Sequence, residues 1–204
     1  MELRDIIDVN ELFTPMYPFV ARQVIEAFGR DSGVALEIGP FAGGVSIALA
    51  REVPELRIIL GDDFPGITSY FENKVRDASL ADRIEVRSLR KTDLPFPEGS
   101  LDLVVFRGGL FFWEERVQIL REAYRVLRNQ GLAMVGGGFG AGAPDSLIES
   151  IANQSRELNR KLGKTVLTEG ELAEALRAAG ISSCSTIDRR HGLWALVRKP
   201  DAAG

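Results

Sequence analysis

Apolar positions along the chain recur in two rhythms. Short, mostly apolar runs stand at residues 34–38, 57–60, 101–106 and 132–135, with a weaker alternating run at 83–87. Mostly apolar runs of this length suit strands buried on both faces, and the alternating one suits a peripheral strand. Helical spacing fills the intervals. Phe19, Val20, Val24, Ile25 and Phe28 share one face of a first helix. Further helices are predicted over 45–51, 69–78 and 116–128, the last with Val117, Leu120, Ala123, Tyr124 and Leu127 aligned. Gly29 and Gly131 predict two helix stops. Residues 1–30 therefore read as a helical segment, punctuated by Thr14-Pro15 and Tyr17-Pro18, that lies across the cleft or one sheet face.

After residue 135 the pattern changes. Gly136-Gly137-Gly138-Phe139-Gly140-Ala141-Gly142 predicts a flexible linker. A polar helix over 145–162 follows, its apolar stripe Leu147, Ile148, Ile151 and Leu158. Hung on glycines, it is expected to act as a lid. Thr168 and Glu171 have capping-box spacing for a second helix ending at Gly180. The runs 181–187 and 193–198 flank a turn at Arg189-Arg190-His191-Gly192 and predict a terminal β-hairpin.

Strands alternating with helices predict an α/β fold, a doubly wound sheet with helices on both faces. Ligands of such sheets bind beyond the strand carboxyl ends. Three chemically loaded stretches fall there: the turn Gly39-Pro40-Phe41-Ala42-Gly43-Gly44, the pair Asp62-Asp63, and Phe106-Arg107-Gly108-Gly109. A strand, a glycine turn and a helix start form an anion and nucleotide cradle, with Glu37 an acceptor at the strand end.

Composition narrows this further. A chain of 204 residues suits one domain, here 1–204, divided into a helical segment (1–30), a binding core (31–136), the lid helix (137–167) and a C-terminal helix and β-hairpin (168–204). The net charge of -4 disfavours nucleic acid as a partner. The single cysteine, Cys184, suits a reducing cytoplasm and reads as a half-buried packing residue rather than a nucleophile. The charged N-terminus is not a signal peptide, and no run is long and apolar enough to span a bilayer. No His, Cys and carboxylate cluster has metal-ligand spacing, so no metal is expected.

Three motifs carry a resemblance. Glu37-Ile38-Gly39-Pro40-Phe41-Ala42-Gly43 is similar to an acid-x-Gly-x-Gly-x-Gly signature. Residues 94–105, Leu-Pro-Phe-Pro-Glu-Gly-Ser-Leu-Asp-Leu-Val-Val, and residues 122–131, Glu-Ala-Tyr-Arg-Val-Leu-Arg-Asn-Gln-Gly, follow in order. In this order and spacing the chain resembles the class I S-adenosylmethionine-dependent methyltransferases, and most of all the small-molecule group that includes the quinone-biosynthesis C-methyltransferases. The resemblance implies a Rossmann-like sheet with an antiparallel last strand, S-adenosylmethionine as cofactor, and methyl transfer to a small molecule.

It also implies roles. The backbone of Gly39, Pro40, Phe41 and Gly43 would wrap the cofactor's methionine and ribose, with Glu37 beneath. Asp63 or Asp62 would accept the ribose hydroxyls, and Phe64 would stack on adenine. Leu89 and Arg90 would lie beside adenine, and Phe106 and Arg107 at the fourth-strand exit would face cofactor and acceptor. Phe111, Phe112 and Trp113 would wall the acceptor, or pack under a loop. Arg107 would meet an acidic acceptor or form a structural ion pair. Tyr17 would cover the cofactor, and His191 reads as a solvated turn residue. No catalytic base is assigned, since displacement at a sulfonium methyl requires alignment and dryness first.

Two positions depart from the pattern: Phe41 replaces the middle glycine, and Arg90 stands where an acid is usual. They motivate an alternative, a methyltransferase-like binding module without catalysis. A nicotinamide-dependent oxidoreductase is the other alternative, though Phe41 breaks its Gly-x-Gly-x-x-Gly.

Overall fold

The computed structural model describes residues 1–201; the last three residues of the predicted C-terminal unit lie outside the described residues. Helices α1 (Leu3–Leu12) and α2 (Tyr17–Phe28) precede the first strand. Gly29 closes α2 in the left-handed region, φ 69°, where glycine pays no Cβ penalty. The core then alternates: β1 (Ser32–Ile38), α3 (Gly44–Glu52), β2 (Glu55–Gly61), α4 (Ile67–Asp77), β3 (Ile84–Arg87), β4 (Leu101–Arg107), α5 (Arg116–Val126) and β5 (Leu127–Gly138). Helices α6 (Asp145–Lys161) and α7 (Glu169–Ala179) and strands β6 (Ser185–Asp188) and β7 (Gly192–Arg198) complete it.

One seven-stranded sheet runs β3-β2-β1-β4-β5-β7-β6. β1 lies parallel between β2 and β4, with Leu36 opposite Ile59 and Val104. β7 is antiparallel to both β5 and β6, so the expected doubly wound sheet with its antiparallel strand is what forms. Strand periodicity sends alternate side chains to opposite faces. Leu103 and Val105 join the core under α1 to α4, while Val104 and Phe106 join the core under α5 and α7. Each such buried side chain contributes about 1.5–3 kcal/mol over an exposed one. Buried Asp102 ties the strand starts together, binding Val34 N–H at 2.9 Å, Arg30 at 3.0 Å and Arg128 at 2.7 Å.

Three expected boundaries shift. Gly136-Gly137-Gly138 is not linker but the end of β5, paired with Trp194, Leu193 and Gly192 of β7. Helix α5 ends at Val126, not near Gly131, because Gly99 and Ser100 donate N–H bonds to the Arg125 and Val126 carbonyls and draw the chain into β5. Residues 182–184 form a single 3-10 turn before β6. The capping box at Thr168 and Glu171 forms in full.

Candidate functional site

The sheet's carboxyl edge gathers the loops after β1, β2, β3 and β4. The β1 turn is built by Glu37, whose Oε2 accepts the N–H groups of Gly43 at 3.0 Å and Ser46 at 2.7 Å. Burial pushes the Glu37 carboxyl above its ordinary range, against the pull of those bonds and of Arg107. Asn10 from α1 donates Nδ2 to the Pro40 carbonyl at 2.9 Å. The turn uses positive φ only at its glycines, 111° at Gly39 and 103° at Gly43. Phe41 therefore occupies ordinary backbone space, and the departure from glycine costs no left-handed strain. Its ring is 2% exposed, beside Phe112 (centroids 4.7 Å) and Trp113 (6.3 Å).

These three rings stand between two hollows. The larger, about 580 Å³, is lined by Asp62, Asp63, Phe64, Arg90, Lys91 and Trp113. Asp62 is fully buried and caps Phe64 N–H at 2.9 Å through Oδ1. Lys91 Nζ lies 3.1 Å from Asp62 Oδ2 and 3.0 Å from Asp63 Oδ1, and 5.0 Å above the Trp113 ring. Burial pushes Asp62 up; the two acids outweigh the burial of Lys91 and hold its ammonium above the usual lysine value. Lys91 escaped the sequence reading. Its only signal was its place one residue past Arg90, where an acid was sought.

The smaller hollow, about 260 Å³, lies among Val9 of α1, Phe13 just after that helix, Phe41, Arg107, Phe111, Phe112 and the β5–β7 edge. Arg107 forms no structural ion pair among the described residues. It stacks instead 4.4 Å from the Phe13 ring and 5.3 Å from the Tyr17 ring. Tyr17 is itself buried, bonded through its hydroxyl to Asn10 and packed over Gly44, so it props the turn from behind. Among the other named residues, Leu89 is buried against Gly61, and Phe106 is buried under Gly39 and Gly109. Arg90 is exposed, and its carbonyl accepts the Asp93 N–H at 3.2 Å in an isolated backbone β-bridge. His191 is an exposed turn residue with φ 50°; it lines neither hollow, and its carbonyl accepts the N–H of Phe139 at 2.8 Å beside the rim of the smaller one. Cys184 donates its Sγ–H to the Ile181 carbonyl at 3.1 Å.

The acid pair, the aromatic wall and the glycine turn thus share one edge. One buried acceptor there, Glu37 Oε1, has no hydrogen-bond partner, and Asp62 Oδ2 meets only the Lys91 ammonium at 3.1 Å. An unmet buried acceptor costs about 1–3 kcal/mol, which a ligand carrying donors would recover. No group of acids, histidines and cysteines among the described residues is arranged to hold a metal.

Residues 36–135 match a protein-family profile described as a methyltransferase domain. Among curated proteins, the ubiquinone/menaquinone biosynthesis C-methyltransferase UbiE of Citrifermentans bemidjiense is 30% identical over 107 residues, 52% of this chain and 46% of that one. The protein of the same name from Geotalea daltonii is 28% identical over 146 residues, 62% and 61% of the two chains. The chain spans about half the length of the curated relatives it matches. A solved structure from Methanococcus maripaludis, described as a candidate S-adenosyl-L-methionine-dependent methyltransferase, superposes with TM-score 0.81 at 28% identity, covering 98% of this chain and 94% of the other. A geranyl diphosphate methyltransferase bound to SAM shares the fold, with TM-score 0.63 at 11% identity over 89% of this chain and 84% of that one.

Proposed function

We propose, for a chain that belongs to the class I S-adenosylmethionine-dependent methyltransferases, that it transfers a methyl group to a ring-bearing small molecule held in the smaller hollow. The observation that carries this is the pairing of two hollows across one aromatic wall, acids on one side and apolar rings on the other. S-adenosylmethionine supplies an electrophilic methyl group on a sulfonium. The residues present fit it: Glu37 Oε1 is a buried acceptor without a partner at the end of β1, and Asp62, just past β2, can exchange its Lys91 contact for a hydroxyl donor.

In this reading Asp62 and Asp63 hold the ribose hydroxyls once Lys91 yields them, and Phe64 and Trp113 flank the adenosyl group. Glu37 keeps the β1 turn in shape through Gly43 and Ser46. Phe41 and Phe112 exclude water from the transfer line, and their rings favour the cationic centre. Methylation forms a bond from CH3 to the acceptor atom, breaks the S–CH3 bond, leaves sulfur a neutral thioether and releases one proton to water. A dry, aligned pair supplies most of the acceleration such a displacement needs. The relatives named for ubiquinone and menaquinone biosynthesis support a ring-bearing acceptor. No helix among the described residues is long and apolar enough to cross a membrane, and a cytoplasmic location is the reading we favour, supported by the lone cysteine.

Calorimetric and thermal-shift titration with S-adenosylhomocysteine and with NAD tests the proposal. Ligand at a hundred times its Kd stabilises a fold by about 2.7 kcal/mol, and that shift is expected with S-adenosylhomocysteine alone. Stabilisation by NAD alone would make the chain an oxidoreductase, and by neither a non-catalytic module.

A further inference from the structure

Two cations face the smaller hollow, and no carboxylate lines it. Arg107 is 5% exposed and its Nε has no hydrogen-bond partner. The ion pairs of the described residues all leave it out. Glu37 is near enough to feel its charge but is not in contact, and spends Oε2 on the β1 turn. The rings of Phe13 and Tyr17 give partial compensation only. A buried charge left without its partner is strongly destabilising, so a buried guanidinium with no carboxylate in contact is a demand for an anion.

Lys164 approaches from the segment after α6. The residue as a whole is exposed, and its Nζ rests 5.0 Å from the Phe111 ring centroid. Burial of the ammonium and the neighbouring Arg107 both lower its pKa, the burial more. Two like charges thus converge on one apolar hollow, and an anion between them relieves both. The remaining wall is largely aromatic: Phe13, Phe41, Phe111, Phe112 and Phe139. An apolar cavity of roughly 150 Å³ accepts benzene, so 260 Å³ accepts an aromatic ring with a substituent.

We propose that Arg107 and Lys164 clamp the carboxylate of an aromatic acid, and that such acids are the acceptor class. This rests on methyl transfer as the reaction of the site. A carboxylate held by two cations is a poor nucleophile, so the clamp orients the ring for methylation at another atom. The donor's own amino-acid end also carries a carboxylate. The acceptor is favoured because the hollow extends to Gly138, Gly192 and Leu193 on the β5–β7 edge, away from the β1 turn, and because its walls are aromatic.

The test is calorimetry on the full chain saturated with S-adenosylhomocysteine, using benzoate, 4-hydroxybenzoate and indole-3-acetate beside their neutral amides. At least one acid is expected to bind tenfold or more tighter than its amide. K164M and R107M are each expected to erase that preference while S-adenosylhomocysteine affinity changes less than threefold. K164M alters an exposed position, so it stands as the clean variant should R107M fold poorly. Equal binding of acids and amides, or no binding of any acid, overturns the proposal. So does a tenfold loss of S-adenosylhomocysteine affinity in K164M with acids competing against it, which would give the clamp to the donor. Failure of S-adenosylhomocysteine to bind would instead sink methyl transfer, and acid-over-amide preference lost in K164M would still establish the carboxylate site.

Discussion

Lys91 is bound by the two acids that the proposed reaction needs free. Its Nζ touches both Asp62 and Asp63, and only 11% of its side chain is exposed. On the proposed reading a ribose must displace it, so Lys91 competes with the ligand. It also neutralises Asp62, which has no exposed surface. Lys91→Met should therefore act in opposite directions on the two states. The free protein should lose on the order of 2 kcal/mol, less than the 3–5 of a fully buried pair because one side of this one meets water. The ligand should then bind several-fold tighter, giving a larger rise in Tm on adding S-adenosylhomocysteine than in the parent. Equal rises in parent and variant would show that Lys91 and the ligand do not share the acids. At this scale the sequence was half legible. The strand-end acids announce themselves by position, but the lysine that meets them comes from a different loop, 28 residues on from Asp63. Phe41 shows the converse. Its identity raised a concern about backbone strain that only the φ angles of the turn could resolve.

Among the elements, β5 taught the most. A run of glycines reads as linker because glycine lowers strand propensity. Here Gly136 is required by close antiparallel packing: a Cβ there would meet the Leu193 carbonyl oxygen at 2.2 Å, and its φ is 151°. Gly142 has φ 80° but nothing within 4 Å. Gly136→Ala should therefore cost about 2–4 kcal/mol, since both strain and a backbone clash must be relieved. Gly142→Ala should cost only the left-handed penalty of about 1–2 kcal/mol. Urea denaturation of the two variants orders them, and similar midpoints would mean the β5–β7 register yields easily. The helices, by contrast, were legible to within a few residues, because their apolar stripes are set by packing against a flat sheet. As a lid, α6 remains a proposal. It is pinned to α1 by Lys161 and Asp5 at 2.7 Å, and the segment after it to Phe111 by the Thr165 N–H at 2.8 Å. Phe111 lines the smaller hollow, so filling that hollow should slow proteolysis across 139–165, and unchanged cutting rates would remove the lid role.

On the scale of the whole molecule, stability and site are joined through Glu37. It sits on β1, an interior strand of the sheet, 1% exposed, between the two sheet faces and behind the ligand edge. Its carboxyl is raised by burial, so the folded state holds that proton more tightly than the unfolded chain does. The sign follows: Glu37 favours the fold below its unfolded value of about 4.3, and that contribution is lost as pH rises through its higher folded value. Each unit of elevation is worth about 1.4 kcal/mol. Glu37→Gln keeps an acceptor for Gly43 and Ser46 and places an amide at the position of the unpartnered Oε1. The variant should gain on the parent as pH rises from about 4.3, then hold a constant margin. Glu122 works the other way: its bond to Arg125 lowers its pKa, so its contribution is present above the unfolded value and fades as pH falls. The parent's pH profile mixes the two, and subtracting the variant's profile isolates Glu37. A margin that does not change between pH 4 and 8 would mean that Gly43, Ser46 and Arg107 together already hold the carboxylate as well as water does, and that burial in the interior of the sheet exacts nothing from the acid on which the β1 turn is built.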